Sequence, residues 1–221
     1  MTNFRKILLA VSVAGALGVA GMPASAGPLS ASDATFGSFD SSSGTRALTI
    51  AGFGPITDVN ISIVFAKCDD PSLGAGGGTI GAPCSGGGTP FNNEIRFSLS
   101  HGSTTVVLVG VGSFGLGSGS SGSGVVEMTF DDAGALFPSV PTTGTFDPFG
   151  SLSDFNGAEA NGLWTLTIAD TVGADPLDYF RSCLSINGDS GCGGSNVPEP
   201  ISLALFGIGL AGLGFSRRKV A

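Results

Sequence analysis

Apolar and polar residues alternate with a period of two through several short runs of the chain. Val59, Ile61, Ile63 and Phe65 alternate in VNISIVF, Ile95, Phe97 and Leu99 in IRFSLS, and Val126, Met128 and Phe130 in VVEMTF. Trp164, Leu166 and Ile168 do so in LWTLTIAD, and Leu184 and Ile186 in CLSI. RALTI (46–50) and TTVVLV (104–109) are further strand candidates. This period sets one face of a strand on a core and the other in water. Gly, Ser, Asn and Asp fill the gaps, as turns require, and no segment between the termini shows a helical period. The pattern predicts an all-β chain folded as a two-sheet sandwich. Two long Gly-rich loops, 68–90 and 110–124, are expected to be flexible and nearly structureless.

The two termini break the pattern. Residues 1–26 open with Arg5 and Lys6, run uncharged from Ile7 to Ala20 and close on Ala24-Ser25-Ala26. A basic start, an apolar middle and a small-x-small exit predict a signal peptide cut by signal peptidase after Ala26. The C-terminus reads VPEPISLALFGIGLAGLGFSRRKVA: Pro198-Glu199-Pro200, an uncharged run over 201–215, then Arg217-Arg218-Lys219. As a helix, fifteen residues rise about 22 Å against a hydrocarbon core of roughly 30 Å, which suits a transient anchor better than a permanent span. The basic cluster would hold the cytoplasmic side. The expected units are a signal peptide (1–26), a β-sandwich domain (27–196) and a C-terminal signal (197–221).

Between the termini, residues 27–197 carry four basic residues (Arg46, Lys67, Arg96 and Arg181) against sixteen acidic ones, a net charge of −12. Such a surface repels nucleic acid and anionic lipid heads. Four cysteines suit an oxidising compartment. Of three connectivities, the local one, Cys68 with Cys84 and Cys183 with Cys192, is expected.

Few residues of the chain fall into recognisable catalytic patterns. The G-x-G-x-x-G at Gly110, Gly112 and Gly115 is followed by more glycine instead of a helix, so a dinucleotide fingerprint is not expected. His101, the one histidine, sits in SLSHGST and reads as a polar hairpin-turn residue. There is no G-x-S-x-G elbow, and one histidine cannot make H-E-x-x-H. The pairs Asp69-Asp70 and Asp131-Asp132 read as solvated acidic turns, since neighbours on a strand face opposite ways. Trp164, entering a strand after the Asn161-Gly162 turn, is expected to be the largest core plug.

The stretch 130–186 carries a more specific signal. Phe130-Asp131-Asp132, Phe149 with Leu152, Phe155-Asn156-Gly157 and Asn161-Gly162-Leu163-Trp164-Thr165-Leu166 through Asp170 resemble the P domain, or P/Homo B domain, that follows the catalytic domain of subtilisin-like proprotein convertases. The resemblance extends over roughly 45–187. It implies a galactose-binding-like jelly-roll β-sandwich, and loop acids (Glu94, Asp131, Asp132 and Asp170) as the residues for calcium, should calcium bind. No other cofactor is expected. The C-terminal segment resembles the PEP-CTERM sorting signal of Gram-negative bacteria. That resemblance implies exosortase as processing partner, an inner-membrane intermediate anchored by 201–215, and a secreted or cell-surface product. PEP-CTERM proteins are associated with exopolysaccharide and biofilm, so the expected role is a non-catalytic binding or structural module whose partners would be polysaccharide or envelope protein. Two alternatives are an accessory P domain of a serine-protease system and a calcium-dependent carbohydrate-binding module.

Overall fold

The computed structural model describes residues 27–69, 71–115 and 122–188. The strands are β1 (Leu29–Asp33), β2 (Gly37–Phe39), β3 (Ser42–Ile50), β4 (Val59–Cys68), β5 (Ile95–His101), β6 (Thr104–Val109), β7 (Gly122–Ala135), β8 (Gly144–Phe146), β9 (Gly162–Asp170) and β10 (Leu177–Ile186). Short 3-10 turns occupy Ala75–Gly77, Asn92–Glu94 and Leu152–Phe155. One sheet has the order β1-β10-β4-β7-β8, with β2 also paired to β10; the other has the order β3-β9-β5-β6. All pairs are antiparallel except β7 with β8.

The alternation read from sequence becomes the core between these two sheets. Ile61, Ile63 and Phe65 of β4 and Met128 and Phe130 of β7 face Leu48 of β3, Phe97 and Leu99 of β5, and Leu166 and Ile168 of β9. Phe65 meets Phe97 edge-on across the gap, ring centres 5.0 Å apart at 75°. An offset or edge approach puts the positive rim of one ring on the negative face of the other. Every strand expected from the pattern is present; β1, β2 and β8, short or polar, were not legible in it.

Trp164 is fully buried, as expected. Its Nε1–H donates to the Ala160 carbonyl at 3.0 Å, and its ring packs on Phe155 at 4.8 Å between centres. His101 is more than a turn residue. It ends β5 ahead of a tight hairpin in which Gly102 takes φ +57°, and its ring stacks flat on Trp164, 4.2 Å between centres and 5° between planes. Its Nε2 lies 2.7 Å from the Glu159 carbonyl and its Nδ1 3.1 Å from that of Leu163.

The expectation of one wet face fails for β4, where all ten residues are buried. Over Val64, Ala66 and Cys68 the cause is the 68–90 loop, which is neither free nor structureless. Leu73, Ala82 and Cys84 lie over Val64, Ala66, Val125 and Phe180, forming a second, smaller apolar cluster on the outside of the sheet. Two backbone bonds tie the loop to β7: Gly81 N–H to the Val125 carbonyl (2.8 Å) and Val125 N–H to that of Ala82 (2.9 Å). Buried Asp178 accepts from Leu73 N–H (2.6 Å) and Ser72 Oγ–H (2.8 Å). The expected Cys68–Cys84 disulfide closes the loop, with 5.5 Å between α-carbons. In the chain-entropy account a bridge over a loop of this length contributes about 3 kcal/mol. Opposite it, Gly122 adopts φ +114° and a Cβ there would stand 2.5 Å from the Lys67 carbonyl, so only glycine fits. Cys183 is also disulfide-bonded; its expected partner Cys192 lies outside the described residues.

Replacing Trp164 by Ala is expected to cost about 3–5 kcal/mol and to release the His101 ring. Denaturant unfolding measures the first effect, and a loss below about 1 kcal/mol would contradict the packing described.

Candidate functional site: a buried lysine among carboxylates

The apolar row of β4 does not end at Phe65. One step further along the same inward face is Lys67, whose side chain is wholly buried (0 % exposed). The inward row of β9, Trp164, Leu166 and Ile168, likewise continues to Asp170, also 0 % exposed. Both strands are central in their sheets: β4 lies between β10 and β7, and β9 between β3 and β5. The ammonium and carboxylate meet where the two rows converge, Lys67 Nζ donating to Asp170 Oδ2 at 2.6 Å.

Two further carboxylates complete the cluster. Glu94 Oε2, at the end of the 3-10 turn before β5, lies 3.3 Å from Nζ. Asp175 Oδ2 also lies 3.3 Å away, and Nζ donates to the Asp175 backbone carbonyl as well. Asp175 is held in turn by the Phe91 N–H. The loop that presents it carries Ala174 at φ +126°, a region that favours glycine, with its N–H bonded to Asp40 Oδ1 at 2.9 Å. Asp170 Oδ1 accepts from Val172 N–H at 3.4 Å.

One ammonium faces three carboxyl groups in this cluster. Burial pushes the Asp170 and Glu94 carboxyls above the usual carboxylate range, against the lowering influence of Lys67. Burial alone would push Lys67 down, but the hydrogen bond and charge of Asp170, with the charges of Asp175 and Glu94, hold it above its ordinary value. The acids are raised chiefly by burial and the lysine by its carboxylate neighbours.

The four acids expected around calcium separate into two places. Glu94 and Asp170 face Lys67, whose ammonium stands between them where a cation would sit. Asp131 and Asp132 lie at the far end of β7. Asp131 accepts from Ala133 N–H (2.8 Å), and Asp132 takes Leu152 N–H (2.7 Å), Ser153 N–H (2.8 Å) and Ser151 Oγ–H (2.8 Å), anchoring the Leu152–Phe155 turn. Burial pushes Asp132 up, but those donors prevail and hold it below the usual range. Lys67, Asp175 and Asp178 were missed from the sequence. The signal for Lys67 was present, since extending the β4 alternation by one step places a lysine in the core.

The other expected site residues, Ala24, Ala26, Cys192, Pro198, Glu199, Pro200, Arg217, Arg218 and Lys219, lie outside the described residues, as does the apolar run 201–215. Among the described residues no helix is long and apolar enough to cross a membrane. Residues 196–219 match the family model of the PEP-CTERM protein-sorting motif. The match covers the Pro-Glu-Pro triplet, the apolar run and the basic cluster, and it implies processing by exosortase and an extracellular or cell-surface destination. No curated protein matches the chain.

Two outcomes follow. Lys67→Met leaves buried carboxylates without a counter-charge and is expected to cost about 3–5 kcal/mol at neutral pH. The variant's Tm should rise as pH is lowered from 7 towards about 5, because the stranded acids then protonate; a variant as stable as wild type at pH 7 would contradict the cluster's role. Asp132, with a lowered folded pKa, contributes stability above the ordinary carboxylate value and loses it as pH falls through the folded one. Asp132→Ala should therefore lower Tm at pH 7, and thermal melts should show the gap to wild type closing below about pH 4.

Proposed function

We propose that the protein is a non-catalytic surface or matrix component, a single P-type jelly-roll sandwich delivered outside the cell by its C-terminal signal. The observation that carries this reading is the sorting motif at 196–219, which follows closely on β10 (Leu177–Ile186), the last strand among the described residues. In it, Pro198-Glu199-Pro200 marks the region of cleavage by exosortase, 201–215 is the temporary anchor, and Arg217, Arg218 and Lys219 hold the cytoplasmic side. His101 supports a non-catalytic reading, because both ring nitrogens lie against backbone carbonyls and its face is spent on Trp164. A general base needs a free nitrogen within reach of a nucleophile. The strongly acidic surface suits a solvated envelope component whose partners are polysaccharide or other envelope proteins.

The intact mass of the protein recovered from its host, with and without exosortase, tests this. The expected product begins near Gly27 and ends near Pro198–Pro200, and forms only when exosortase is present. A chain that still carries 201–221 in both strains would overturn the reading.

A further inference from the structure

The Lys67 centre has the parts of a condensation site. We propose that Lys67 and Asp170 join covalently through an intramolecular amide bond, formed by the folded protein itself, with Glu94 as the proton carrier. The inference is independent of the sorting motif and rests on the geometry between the sheets.

The reacting groups are pre-assembled. Nζ and Asp170 Oδ2 are 2.6 Å apart, and the carbon to be attacked is one carbon–oxygen bond further on. Fixing two groups in contact replaces an encounter in solution with an effective concentration many orders of magnitude higher. Both side chains are 0 % exposed, so water is kept from the reacting atoms. A dry setting matters doubly. It narrows the gap between the ion pair and its neutral tautomer, amine plus carboxylic acid, and that tautomer is the one that reacts. It also disfavours hydrolysis of the product by excluding the water that would reverse the step.

The step balances without any other reagent. The short hydrogen bond passes a proton from the Lys67 ammonium to the Asp170 carboxylate, leaving a neutral amine and a carboxylic acid. The amine lone pair attacks Cγ and the C–N bond forms. Glu94 Oε2, 3.3 Å from Nζ, takes a proton from the nitrogen and returns it to the departing hydroxyl. The carbon–oxygen bond breaks and one water leaves. Negative charge that develops on the retained oxygen, Oδ1, faces the Val172 N–H. Nothing is oxidised or reduced. The product joins the central strand of one sheet to the central strand of the other across 103 residues of chain. The Asp175 carbonyl, which accepts from Nζ, holds the nucleophile in line.

Lys67 is the single lysine between residues 27 and 197, which makes the test simple. The protein recovered from its host is reduced, denatured and analysed by intact and tandem mass spectrometry, with amine labelling in denaturant. The expected result is a mass short of the sequence by one water, a branched tryptic peptide that joins the Lys67 and Asp170 segments, and no label on Lys67 even when unfolded. Glu94→Gln should restore the missing water and a labelled Lys67. Full mass with Lys67 labelled in the wild type would overturn the proposal, as would a lost water without a branched peptide. A branch from Lys67 to Asp175 or Glu94 would overturn the assignment to Asp170, and an undiminished bond in Glu94→Gln would overturn the role of Glu94.

Discussion

An ammonium group sealed away from water demands an answer in charge, and in this protein the answer comes from both sheets at once. Lys67 reaches from β4 to Asp170 at the end of β9, to Glu94 before β5 and to Asp175 after β9. Taking such a charge out of water costs several kcal/mol, and only well-placed partners offset that. The sheets therefore cannot slide or part without stranding a buried ion. The apolar core supplies cohesion without direction; the Lys67 cluster supplies direction, because its hydrogen bonds fix which residues face each other. The loops before β5 and between β9 and β10 are shaped by the need to bring their carboxylates to Nζ.

A second constraint works from outside. The 68–90 loop shields the outer face of β4, held by the Cys68–Cys84 disulfide, by Asp178 and by its bonds to β7. Lys67 and Cys68 are neighbours in β4, so the inward ion cluster and the outward disulfide fasten opposite faces of the same strand end. For a chain with a PEP-CTERM sorting motif, and so bound for the outside of the cell, fastening at both faces is an apt use of few residues: oxidising conditions permit the bridge, and neither device needs a ligand.

Much of this was legible in the chain. Five period-two runs and two further apolar stretches located seven of the strands, and the Asn161-Gly162 turn with Trp164 marked the core plug. The rest was not, for identifiable reasons. A loop such as 68–90 looks floppy because glycine dominates its composition, whereas its order comes from contacts with Phe180 and Val125 that are distant in sequence. The burial of Val64, Ala66 and Cys68 on the outer face of β4 follows from that loop and not from the strand's own pattern. Glu94 and Asp170 stood out as acids, but their partner was overlooked because lysine is ordinarily a surface residue. His101 read as a turn residue because its stacking on Trp164 depends on the pairing of β5 with β9.

The claim on which the rest stands is that Lys67 is sealed between the sheets. Amine acetylation of the native protein, followed over time and resolved at the peptide level, tests it directly. Lys67 should remain unmodified while the N-terminal amine reacts fully. Modification of Lys67 at the rate of an exposed amine, with the fold intact, would contradict the account.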